Sequence, residues 1–167
     1  MKITSFGFSL LLTVSLVASL SYAMGGKPKL PEKKWDPSVQ GIKLGSQYQK
    51  VISAFGKPQS RKDLEKKSFL SYEGLIIEID RADKKSLWVS RIEITSSKWK
   101  MSPDIKVGML KNDIIDMLGA PLHQEEREGG NVWMRWWLGN PKFDSHFSVT
   151  FEKGKAVKII LSEDTSL

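Results

Sequence analysis

Apolar residues recur in two patterns along the chain, and each pattern is used twice. Val51, Ile52 and Phe55 stand at i, i+1 and i+4; Ile114, Ile115, Met117 and Leu118 repeat that spacing with one addition. Such spacing puts a single apolar stripe on a helix of about ten residues. Behind each helix the period changes to two, and strands are predicted over 68–72, 75–80 and 87–95, then over 131–138, 146–152 and 155–161. In the stretch 146–152, Phe147, Val149 and Phe151 take one face and His146, Ser148, Thr150 and Glu152 the other. One-sided strands predict an antiparallel sheet with helices on one side only. Residues 139–141 and 152–155 read as turns, and 80–86 as a charged hairpin loop. The polar stretches 59–67 and 122–130 read as connections, the first with room for a second short helix.

The two helical segments belong to a longer internal repeat. Residues 41–58 align with 104–121 without a gap at an offset of 63, and six of the eighteen pairs are identical. They are Ile42/Ile105, Lys43/Lys106, Gly45/Gly108, Ile52/Ile115, Gly56/Gly119 and Pro58/Pro121. A repeat of this length is one supersecondary unit used twice. Gly56 and Gly119 sit where a left-handed C-cap is expected, followed by prolines that stop the helix. Ser46 is positioned to cap the first helix. The fold class expected from these elements is α+β: two tandem units, each a short helix or helix pair packed on a three- to four-stranded antiparallel sheet.

The ends of the chain read differently. Lys2, an apolar run from Phe6 to Leu20 and the small-x-small Ser21-Tyr22-Ala23 resemble a signal peptide cleaved after about Ala23, with an uncleaved anchor as the alternative. Residues 24–40, rich in Gly, Pro and Lys, read as a flexible linker in which Trp35 either docks on the body or stays free. Residues 41–100 and 101–167 then form the two repeats. With no cysteine in the chain, the exported protein holds together without disulfides and carries no lipobox thiol. The expected location is periplasmic or secreted, with no stable transmembrane segment after cleavage.

The pattern of Gly108, Ile114, Leu118-Gly119-Ala120-Pro121, an aromatic strand with Trp133 and Trp136, and Phe151-Glu152-Lys153-Gly154-Lys155 resembles the BamE-type (SmpA/OmlA) domain. Gly45, Val51 and Phe55-Gly56-Lys57-Pro58 carry the same resemblance in the first copy. The doubled arrangement is similar to that of the secreted β-lactamase inhibitor protein. The resemblance spans most of 41–161. It implies a small non-enzymatic module of the envelope or the medium that binds a protein or an envelope surface; a secreted enzyme inhibitor is the alternative.

Charge and local chemistry narrow the functional classes. Residues 27–100 carry 17 Lys/Arg against 9 Asp/Glu, and 101–167 carry 8 against 10. The basic half either faces an acidic partner or is a solvated surface. For an exported chain the partner is a protein or an anionic envelope component, not nucleic acid. In the stretch 131–138, Val132, Met134, Trp136 and Leu138 are expected to face the helices, leaving Trp133, Arg135 and Trp137 on the open face with His146 nearby. Trp and Arg dominate binding hot spots, so this row is the candidate binding site, unless the neighbouring repeat or the linker covers it. His123, His146, Glu125, Glu126 and Asp144 match no ligand spacing, so no metal or cofactor is expected. No cysteine nucleophile and no Gly-x-Ser-x-Gly elbow occur, so no catalytic residues and no enzyme activity are expected.

Overall fold

The structure, a computed structural model, describes residues 35–81, 86–138 and 145–163. The signal-peptide reading, most of the linker and the turn expected at 139–141 lie outside the described residues.

Helix α1 (Tyr48–Phe55) is followed by β1 (Ser60–Asp63), β2 (Lys67–Tyr72), β3 (Leu75–Arg81) and β4 (Leu87–Ile94). A small hairpin, β5 (Lys100–Met101) and β6 (Ile105–Lys106), leads to α2 (Lys111–Leu118). Strands β7 (His123–Arg127), β8 (Asn131–Trp137), β9 (Ser145–Glu152) and β10 (Lys155–Glu163) complete the chain. The helices bury most of the stripe their spacing predicts: Val51 and Ile114 are fully buried, with Ile52, Phe55, Ile115 and Leu118 packed partly against the same core, whereas Met117, expected in the stripe, is exposed.

Both helices start and stop by backbone geometry rather than by side-chain caps. Ser46 does not cap α1; its Oγ accepts from the Lys43 amide at 3.0 Å. The turn before α1 is instead laced to β4, where Gly45 N–H donates to Val89 O and Val89 N–H to Ser46 O. The turn before α2 is laced to β10 in the same way, through Gly108 to Ala156 and Ala156 to Met109. At the far ends, Gly56 (φ 74, ψ −158) and Gly119 (φ 81, ψ −175) have positive φ but are not left-handed helical. They occupy the extended mirror region open to glycine almost alone. Tyr72 Oη donates to Gly56 O at 3.1 Å, and Trp136 Nε1 to Gly119 O at 3.0 Å. Each helix end is thereby tied to a core-facing aromatic of the sheet.

The sheet corrects the expected fold class. Its order is β1-β2-β3-β4-β10-β9-β8-β7, all antiparallel, in one eight-stranded sheet. The chain is thus mostly β with two short helices, not two tandem helix-on-sheet units on the BamE-like plan. The physical reason is the seam. Ile159 to Ser162 of β10 pair with Ile94 to Arg91 of β4, which satisfies backbone groups that two separate sheets would leave at raw edges. The apolar face is continuous across that seam, and Leu70, Ile77, Ile92, Ile159, Val149 and Met134 join one core.

The two outermost strands were expected as connections. β1 (Ser-Arg-Lys-Asp) and β7 (His-Gln-Glu-Glu-Arg) are exposed at every residue. Neither shows alternation, because neither has a face in the core. Short, charged outer strands also deter edge-to-edge association. Folding starts before residue 41: Val39 is fully buried, and Trp35 packs edge-on against Phe147 with ring centroids 4.7 Å apart. Trp35 Nε1 donates to Ser102 O, so the tryptophan docks on the helix-bearing side, beside the β5–β6 hairpin.

Candidate functional site

Alternation assigns each strand residue to one of two faces. Leu70, Ile77, Ile92, Leu161, Phe147 and Trp136 point to the helices and are buried. Their neighbours point the other way, where no described helix or strand packs on the sheet. Register aligns that open face in rows. Trp133 lies beside Glu125 and Thr150, with Lys158 next; Arg135 lies between His123 and Ser148; Trp137 lies beside His146, and Ser162 and Arg91 follow.

The row expected on β8 therefore stands on the open face. Trp133, Arg135 and Trp137 are each partly exposed. The Trp133 ring is held from two sides: the Arg127 guanidinium lies 4.7 Å from its centroid, and His123 meets it edge-on at 5.6 Å. Arg127 is in turn held by Glu125 at 3.2 Å. A cation over the ring and a fixed neighbour restrict the indole before any partner arrives. His146 shares this face but is only 8% exposed, so it forms part of the floor rather than a contact.

Sequence reading missed the other half of the face. Phe69 and Ile76 lie across the β2–β3 pair with Glu78, and Arg91 and Glu93 continue the rows on β4. These five residues line a depression of about 330 Å³. Ion pairs cross it: Lys67 to Glu78 at 2.5 Å, Arg91 to Glu93 at 2.7 Å and Lys158 to Glu93 at 3.6 Å. The hydrogen bond to Glu78 holds the Lys67 ammonium pKa above the usual lysine range, against the lowering effect of burial. The available signal was period two in 67–72, which puts Phe69 on the face opposite Leu70 and Tyr72, but its relevance to β8 depends on the strand order.

At the end of β10, burial raises the Glu163 carboxyl pKa, and the Asp80 charge adds to the rise. The fold therefore favours protonated Glu163. Its contribution is most favourable below the ordinary carboxyl value and is lost as pH rises through the raised one. Glu163→Gln is expected to raise the urea midpoint at pH 7 and to leave it unchanged near pH 3.5, roughly a unit below the usual glutamate value. An equal effect at both pH values would show that charge is not the cause.

Among the described residues no group of three or more His, Asp or Glu side chains is placed to hold a metal ion, and no helix is long and apolar enough to cross a membrane.

Comparison with known proteins supports a shared fold only. No protein-family model matches the chain, and no curated protein matches it. A crystal structure of an extracellular protein containing an SCP domain, from Bacillus anthracis str. Ames, superposes with a TM-score of 0.52 over 84% of this chain at 13% identity. The chain spans half the length of that protein, 50%. The expected kinship with the BamE-type family and with the β-lactamase inhibitor protein is corrected accordingly. Its motif residues, Gly45, Gly56 and Pro58 and then Gly108, Gly119 and Pro121, encode turns around a short helix and name no family.

Proposed function

We propose that this chain is an exported, non-catalytic binding module that takes a protein partner on the open face of its sheet. The observation that carries the reading is the row of Trp133, Arg135 and Trp137 on a face left uncovered by the described helices and strands, with Phe69 and Ile76 at its other end. Eight strands of about seven residues offer roughly 34 by 23 Å, close to the 800 Å² that a stable protein interface takes from each side. A small ligand would leave most of this span unused. Export, to the periplasm or the medium, rests on the leader-like first 23 residues, and the extracellular character of the Bacillus protein accords with it.

The test is capture of partners from exported proteins by immobilised wild-type chain and by Trp133→Ala/Trp137→Ala. A buried tryptophan anchor contributes about 2 kcal/mol or more, so the double variant is expected to lose at least about thirtyfold in affinity for the captured partner. Equal capture by a variant with an unchanged far-ultraviolet spectrum would remove the open face from consideration. Retention on anionic vesicles instead of protein would move the reading to an envelope surface.

A further inference from the structure

On the β2–β10 part of the open face the charges are arranged in two layers. In the ion pairs that cross it, the carboxylates are sunk: the Glu78 side chain is 11% exposed, Asp80 17% and Glu93 17%. The bases above them stay accessible: Lys67 is 40% exposed, Arg91 40% and Lys158 43%. Each base thus meets its acid from above and keeps donors turned to solvent, since an ammonium has three N–H groups and a guanidinium five. A partner arriving at this part of the face touches cations first. The carboxylates below fix the cations in place, which lowers the entropy lost when they engage an anion.

Apolar groups lie among the cations. Phe69 and Ile76 line the central depression together with Arg91 and Glu93. Ile76 is among the exposed large apolar residues of the chain. Lys67 on β2 and Lys158 on β10 lie three strands apart, about 14 Å across the sheet. They are also offset along it, Lys67 level with Trp88 of β4 and Lys158 just beyond the Ile159–Ile94 pair. Their ammonium groups reach back to Glu78 and Glu93. Trp133 lies two strands beyond Lys158. A uniform polyanion would gain from the upper layer but would also approach three carboxylates and bury apolar side chains to no benefit. A protein segment with an apolar side chain flanked by Asp or Glu satisfies both parts: the apolar group enters the depression and the carboxylates meet Lys67, Arg91 and Lys158.

We infer that the open face selects acidic protein segments in which an apolar residue stands beside carboxylates, through the raised cations Lys67, Arg91 and Lys158. This rests on the reading of that face as the binding surface. It assigns recognition to the β2–β10 region, with the Trp133 row as a second anchor.

The experiment is selection of a random dodecapeptide library, displayed on yeast, against the full chain, followed by affinity measurement with the selected synthetic peptides. The expected result is enrichment of Asp or Glu next to Leu, Phe or Trp. Arg91→Gln/Lys158→Gln is expected to weaken those peptides at least tenfold, and Arg91→Lys/Lys158→Arg to restore most of the binding. Lys50→Gln/Lys57→Gln, exposed residues of α1 and the turn after it, makes the same change in net charge and is expected to leave affinity unaltered. No enrichment, enrichment without acidic bias, or equal losses in the two glutamine variants overturns the inference. So does binding of polyglutamate as tight as that of the selected peptides. Trp133→Ala/Trp137→Ala is measured in parallel. Loss there with no loss in Arg91→Gln/Lys158→Gln defeats the charge inference and leaves the open face standing; no loss in either defeats both.

Discussion

Alanine at Gly74 is expected to destabilise the protein by about 2–5 kcal/mol, while alanine at Gly154 costs only about 1 kcal/mol. Both glycines close hairpins at positive φ, 69° for Gly74 and 77° for Gly154. The backbone penalty is therefore shared. The surroundings differ: a Cβ on Gly154 meets open space, whereas one on Gly74 falls 2.2 Å from Ser96 Cβ and 3.2 Å from the Ser96 backbone. The obstacle is not a flexible side-chain tip, so the chain at Ser96 must move. That chain is held to the same turn by Thr95 N–H donating to Gly74 O at 2.9 Å and Trp99 Nε1 donating to Glu73 O at 2.7 Å. Trp99 also packs edge-on against Phe55 of α1, centroids 5.5 Å apart. The strain thus spreads from a hairpin to a helix contact. Urea unfolding of both variants in one buffer measures the difference. Ser96→Gly added to Gly74→Ala is expected to recover part of the loss; no recovery, or equal losses for Gly74→Ala and Gly154→Ala, would contradict the steric account.

The same turn illustrates what sequence patterning conveys and what it does not. Local period and turn chemistry placed α1, α2 and six strands within about two residues, because each of those elements has one face in the core. The strands β1 and β7 have none, so Ser60–Asp63 and His123–Arg127 read as polar connections. The close approach of Gly74 to Ser96 is equally invisible: the glycine signals a turn, but not which backbone passes beneath it. The sheet itself was lost for a related reason. Pairing of Ile94 with Ile159 joins residues far apart in the chain, and nothing local announces it. Repetition of 41–58 at 104–121 suggested two tandem helix-on-sheet units, whereas the repeated segments build equivalent corners of one sheet.

The candidate site divides along the same line. Alternation was enough to put Trp133, Arg135, Trp137 and His146 on one face. It could not reveal that His146 is shielded, because shielding depends on neighbours supplied by other strands. Nor could it join Phe69 and Arg91 to that face. The raised cation layer depends on three strands, β2, β4 and β10, the last of which joins the other two only through the seam.

Phe147→Ala is expected to cost about 3–5 kcal/mol, the range for removing a buried phenylalanine, and to lower the melting temperature by about 10 °C in a chain of this size. Phe147 has no exposed surface and lies between Trp136 on β8 and Leu161 on β10. Its ring meets Trp136 at 5.8 Å and Trp35 at 4.7 Å. The loss thus combines transferred apolar area, a residual cavity and a broken aromatic pair. Trp35 makes this more than a core deletion. Its indole N–H is bound to Ser102 O at 3.2 Å, and Ser102 N–H donates back to Ser38 O, so Phe147 is the floor on which Trp35 rests while backbone bonds to Ser102 hold the segment beside it. Trp35→Ala alone is expected to cost less, since its ring is only partly buried. The two changes together are expected to fall short of their sum by about 0.5–1.5 kcal/mol, the coupling of a well-placed aromatic pair. A double-mutant cycle from urea unfolding reads that shortfall. Strict additivity would mean that Trp35 rests on the body without energetic contact, and that the core is complete from residue 39 onward.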